Sequence, residues 1–211
     1  NPYEFYKNVI LHLKENLTPN VTPVFAVEGG TVLEDDAERL YGLKDDGIRF
    51  LTLTWNGENL IAGGSKSQKG LTDFGRKVIK TMNELSMAVD VSHLNDKSFY
   101  SVMENAQNVL ATHSNCRSVY DVPRNLSDDQ IKLIVERKGI IGLNFYPEFL
   151  GGGFFQKLYE NIYRLCDMGF ENNIAIGTDF DGAKMDTVAD NISKIPRIFE
   201  GLEQKGIKKD L

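Results

Sequence analysis

The chain has 211 residues with 24 Lys+Arg against 30 Asp+Glu, a formal net charge of −6, and 41% hydrophobic and 26% charged residues, an ordinary globular composition. At about 150 residues per domain, this length predicts one domain over 1–211. The acidic balance excludes a typical nucleic-acid binder, and no apolar run approaches the roughly 20 residues that cross a bilayer. Residues 1–7 show no signal-peptide apolar region. Cys116 and Cys166 are too few for a disulfide framework. A cytoplasmic protein with no nucleic-acid or membrane partner is expected.

In chain order, the segment around His12 predicts a helix. Apolar, β-branched runs then predict strands at 23–28 and 48–55. Thr72-Asp-Phe-Gly precedes a predicted helix at 76–85, whose Val78, Ile79, Met82 and Leu85 follow three- and four-residue spacing. A strand at 87–93 is followed by a helix at 97–105, with Asn95 or Asp96 as cap. After a strand at 108–113, Ser127-Asp-Asp-Gln130 reads as a capping box opening a helix at 131–138. Gly139 should end that helix in the left-handed conformation. A strand at 139–145, a helix at 154–168 with Leu158, Ile162 and Leu165 on one face, and a strand at 174–179 complete the pattern. Strands apolar on both faces and separated by helices predict an α/β fold with a parallel sheet. The runs end at or beside Glu28, Trp55, His93, His113, Asn144 and Asp179. Functional groups at every strand end favour a TIM-type (β/α)8 barrel, whose strand ends converge on one mouth, over an open sheet.

The chain has three histidines. His12 reads as a surface or half-buried residue. His93 and His113 each close an apolar run just before a helix-start signal, and two such histidines on successive strands favour a metal site over hydrogen-bonded rim residues. Glu28 closes a strand before Gly29-Gly30. A carboxylate there needs a metal or a salt bridge to offset its desolvation. Asp179 closes Ile174-Ala-Ile-Gly-Thr-Asp; the segment lacks the ligand ladder of a calcium loop, and Asp181-Gly182 reads as a turn. Asp90 reads as a supporting or structural residue. Two histidines and two carboxylates at strand ends suit hydrolysis by metal-activated water, with a carboxylate moving the proton. No G-x-S-x-G elbow and no phosphate loop is present.

The runs Val27-Glu-Gly-Gly, Leu51-Thr-Leu-Thr-Trp-Asn, Gly70-Leu-Thr-Asp-Phe-Gly, Asp90-Val-Ser-His, Thr112-His-Ser-Asn, Pro123-Arg-Asn and Gly177-Thr-Asp-Phe-Asp-Gly resemble, in order, the membrane (renal) dipeptidases, the M19 zinc peptidases of the amidohydrolase-like barrels. The resemblance implies a zinc dipeptidase acting on a dipeptide substrate. It implies Glu28 as the carboxylate bridging two zinc ions, His93 and His113 as ligands of the second, and Asp179 as the acid handling the catalytic proton. Arg124 would receive the substrate's C-terminal carboxylate, with Trp55, Asn144 and Tyr146 also at the substrate. Trp55 stands where the animal enzymes carry a histidine, as in bacterial-type members. The family's first zinc needs a His-x-Asp pair, and this chain contains none. The expectation is a piece of a longer barrel lacking its first two strands and C-terminal helices, with a homodimer as the assembly. A catalytically inactive metal-binding scaffold and an amidohydrolase for another amide are the alternatives.

Overall fold

The computed structural model describes residues 1–18, 20 and 22–207. The chain divides into two compact units, Asn1–Leu110 and Ala111–Leu211. In the first unit, helix α1 (Pro2–Glu15) opens on Asn1, whose side chain accepts the Glu4 N–H. Strands β1 (Phe25–Glu28), β2 (Ile48–Thr52), β3 (Ala88–Asp90) and β4 (Val109–Leu110) form a parallel sheet in chain order. Their register aligns Glu28 with Thr52, Thr52 with Asp90, and Asp90 with Leu110. One row of residues therefore crosses the C-terminal edge of the sheet.

Helices α2 (Arg39–Asp45), α3 (Asp73–Glu84) and α4 (Asp96–Asn105) alternate with these strands. Leu43, Leu51, Val78, Met82, Val89 and Val102 are wholly excluded from water, each contributing roughly 1.5–3 kcal/mol. Thr72 caps α3 by accepting the Gly75 N–H, and Asn95 caps α4 by accepting the Ser98 N–H. The sequence signals at these helix starts are thus read correctly, although α3 begins three residues earlier than its apolar spacing suggests.

The strands are shorter than the apolar runs. Expected to reach Trp55, His93, His113 and Asp179, they stop at Thr52, Asp90, Leu110 and Gly177. At β3 the reason is local: Asp90 Oδ1 accepts the Ser92 N–H at 3.0 Å, turning the chain. His93 then adopts φ 71° and Asp179 adopts φ 63°, left-handed conformations that no strand accommodates.

In the second unit, β5 (Ile141–Asn144) and β6 (Ile174–Gly177) pair in parallel, and Ala111 makes a parallel bridge to Ile141. Helices α5 (Asp128–Glu136), α6 (Pro147–Leu150), α7 (Phe154–Asp167) and α8 (Ile195–Gln204) complete it. The Ser127–Gln130 capping box is present in both directions. The left-handed residue after α5 is Lys138, at φ 58°, and not Gly139 as expected. Its N–H still reaches the Val135 carbonyl at 2.8 Å, so the helix closes without glycine at that position. On α7, Leu158, Ile162 and Leu165 are buried as their spacing requires. Among the described residues, no helix is long and apolar enough to cross a membrane.

Candidate functional site

In the first unit, Glu28 ends β1 with its side chain 42% exposed, while His93, three residues beyond β3, is 4% exposed. Glu28 Oε1 lies 2.8 Å from His93 Nε2, and Asn56 Oδ1 lies 2.9 Å from His93 Nδ1. The ring is thus set between two oxygens. A neutral imidazole carries one N–H, so one nitrogen meets its oxygen without a proton unless a proton or a metal ion is shared between Nε2 and Glu28. Carboxylate oxygen and imidazole nitrogen are both zinc donors, so the residues fit such an ion. Trp55 is 61% exposed, its ring centroid 6.2 Å from that of His93. Beneath them, Asp90 is wholly buried and accepts the Thr52 hydroxyl at 2.6 Å, as suits a supporting residue.

In the second unit, His113 follows β4 by three residues and is 8% exposed, with Nδ1 2.6 Å from Thr112 Oγ1. Gly142 and Gly177 let this segment approach: a Cβ on either would lie 1.9 or 2.1 Å from the Thr112 carbonyl oxygen. Arg124 is 5% exposed, donating to Ser114 Oγ and to the His113 carbonyl, both at 3.0 Å, with its guanidinium 5.5 Å from the Phe149 ring centroid. Asn144 is wholly buried. Its Nδ2 donates to Asp179 Oδ2 at 3.1 Å and to the His113 carbonyl at 3.4 Å, while its Oδ1 accepts the Tyr146 N–H at 2.6 Å. Asp179 is further confined by Gly182, where a Cβ would fall 2.4 Å from Asp179 Oδ1. A hydrogen bond with Glu148 pushes the Tyr146 phenol above its ordinary pKa, with partial burial and the charges of Glu148 and Asp179 adding to the effect.

The family model of the membrane dipeptidases, peptidase family M19, matches residues 12–211. The chain belongs to this family. An uncharacterised dipeptidase of Schizosaccharomyces pombe is 29% identical over 202 residues, covering 90% of this chain and 49% of the relative. An uncharacterised protein of Klebsiella pneumoniae, encoded 5′ of pqqA, is 30% identical over 196 residues, covering 85% of this chain and 72% of that one. A metallo peptidase from Rhodobacter sphaeroides, solved with a phosphinate mimic of the dipeptide L-Ala-D-Ala, matches with a TM-score of 0.82 at 27% identity, over 89% of this chain and 58% of that one. The α/β fold is therefore that of M19 structures, and this chain spans about half the length of the Schizosaccharomyces pombe relative.

Within this M19 chain, the first unit brings Glu28, Trp55 and His93 together. The second joins His113, Arg124, Asn144, Tyr146 and Asp179 through the His113 carbonyl and the Asn144 amide. Sequence reasoning missed Asn56, whose place directly after Trp55 was its one signal. It also missed Ser114, which holds Arg124.

Proposed function

We propose that this chain carries the active-site residues of a zinc-dependent dipeptidase on the (β/α)8 scaffold of the amidohydrolases. The observation that carries the reading is the His93 ring lodged between Glu28 Oε1 and Asn56 Oδ1. As the family resemblance implies, Glu28, His93 and His113 would hold the ion. Zinc bound there supplies Lewis acidity, lowering the pKa of water and polarising the scissile carbonyl.

Asp179 takes the proton from the attacking water and returns it to the leaving amine as the C–N bond breaks. The Asn144 amide at Oδ2 keeps that carboxylate aimed. Arg124 pairs with the C-terminal carboxylate of the dipeptide, for which its planar fork is suited. Its anchorage to Ser114 and the His113 carbonyl fixes the distance from that carboxylate to the scissile bond. Trp55, Asn144 and Tyr146 line the substrate. Two free cysteines, Cys116 and Cys166, fit a reducing cytosol.

The test compares Arg124→Ala with wild type on free-acid dipeptides and on their C-terminal amides. Loss of a charge-assisted hydrogen bond, about 1.5–3 kcal/mol, lowers kcat/KM about 10- to 150-fold for the free acids, with little change for amides. Equal losses on both substrates would remove Arg124 as the carboxylate clamp. Absence of bound zinc in the wild type would remove the metal mechanism.

A further inference from the structure

We infer that Asn56 is a positioning residue that selects the tautomer of His93, holding its proton on Nδ1 so that the Nε2 lone pair faces Glu28 and the ion they would share. The inference rests on the metal reading above and adds a residue to it. Asn56 is placed by the loop that fixes the His93 backbone. The Lys66 N–H donates to the Asn56 carbonyl at 2.8 Å, and the Gly64 N–H to the Gly57 carbonyl at 2.8 Å. The returning strand then attaches to His93 and its neighbours: Ser65 N–H to the His93 carbonyl at 2.7 Å, Gly64 bridged to Leu94, and Asn95 N–H to the Gly63 carbonyl at 3.2 Å. A Cβ on Gly64 would lie 2.0 Å from the Trp55 carbonyl oxygen and 2.5 Å from that of Gly57, so glycine is required for the closure.

Within this frame the Asn56 amide has two faces and two consequences. Ser65 Oγ donates to Asn56 Oδ1 at 3.2 Å, and the same oxygen faces His93 Nδ1 at 2.9 Å as its acceptor. The Nδ1–H then donates to Asn56, and Nε2 is a ligand. With the amide reversed, its N–H would meet Nδ1 and the ring proton would move to Nε2, hydrogen-bonded to Glu28 and unable to ligate. Asparagine makes this selection without placing a second negative charge beside Glu28. Burial and the left-handed backbone of His93 prevent the ring from answering by reorientation.

The test is zinc affinity of the full-length protein by chelator competition, with imidazole 15N NMR of His93 and thermal melting in chelator. Asn56→Leu, similar in size but without hydrogen-bonding groups, should weaken zinc about 10- to 100-fold, the usual cost of losing an outer partner of a metal-bound histidine. Its metal-free melting temperature should fall only modestly, from the lost hydrogen bonds to Ser65 and His93, with cooperative unfolding retained. Asn56→Asp keeps the oxygen acceptor and should restore affinity. In the zinc-loaded wild type, His93 should show Nδ1 as N–H and Nε2 as the metal-bound nitrogen. Wild type that binds zinc through Nδ1, or Asn56→Leu with undiminished zinc affinity, would overturn the inference and leave the metal reading standing. Wild type that binds no zinc would remove the metal reading, and this inference with it. Should Asn56→Leu fail to fold, the wild-type spectrum still decides.

Discussion

Thr52→Val probes the row of residues that crosses the first unit's sheet. Thr52 is 2% exposed, and its hydroxyl donates to Oδ2 of the wholly buried Asp90 at 2.6 Å. Valine has nearly the volume of threonine, so no cavity opens and the loss isolates one hydrogen bond. A hydrogen bond to a charged group contributes about 1.5–3 kcal/mol. At about 2–4 °C per kcal/mol for 150–250 residues, the melting temperature should fall by about 3–12 °C. Thr52→Ser keeps the hydroxyl and gives up one methyl, about 0.8 kcal/mol. Calorimetry should therefore rank wild type above serine and serine above valine. Valine at or above serine would show that Asp90 does not depend on this donor, and the account of how β2 supports the turn to His93 would fail.

Gly64→Ala should lower the melting temperature and zinc affinity together, because its Cβ meets backbone oxygens of Trp55 and Gly57 that cannot yield as a side chain would; an unchanged melting temperature counts against the tight loop. The Arg164 guanidinium, hydrogen-bonded to Asp128, holds that carboxyl below the usual range. The pair therefore stabilises the fold above about pH 4, the unfolded value, and the gain is lost as pH falls through the lower folded pKa. With the two side chains 37% and 31% exposed, Asp128→Asn should cost no more than about 1 kcal/mol at neutral pH, with the gap to wild type closing in acid; a gap that widens in acid would reverse the sign argued here. Burial pushes the Cys116 thiol up to about 12, so iodoacetamide should modify the half-buried Cys166 first, as read by peptide mass spectrometry, and Cys116 after unfolding.

Features set by local chemistry were legible in the sequence. Asn95 and Ser127 announce helices because their side chains satisfy backbone N–H groups three residues on. The apolar runs announce buried parallel strands. Helices α2 and α8 went unread because neither has a side-chain cap: Glu38 and Lys194, which precede them, are already helical in backbone. His93, His113 and Asp179 were visible as chemistry at the ends of apolar runs. The left-handed backbone of His93 and Asp179 was not, since an apolar run carries no sign of a left-handed residue. The role of Asn56 was not legible for another reason: its partner His93 lies 37 residues away, and its other contact, Ser65, stands on the returning arm of the loop.

The left-handed conformations of His93 and Asp179 bear on how this sequence can be changed. A side-chain-bearing residue in that region costs on the order of 1–3 kcal/mol, and glycine there would relieve the strain. Any procedure that ranks variants by backbone strain alone, leaving out the packing and hydrogen bonds of the two side chains, will favour glycine at 93 and 179. It would thereby select against the imidazole and the carboxylate that give the two positions their chemistry. For a library built on this fold, these two sites are where backbone strain and function point in opposite directions.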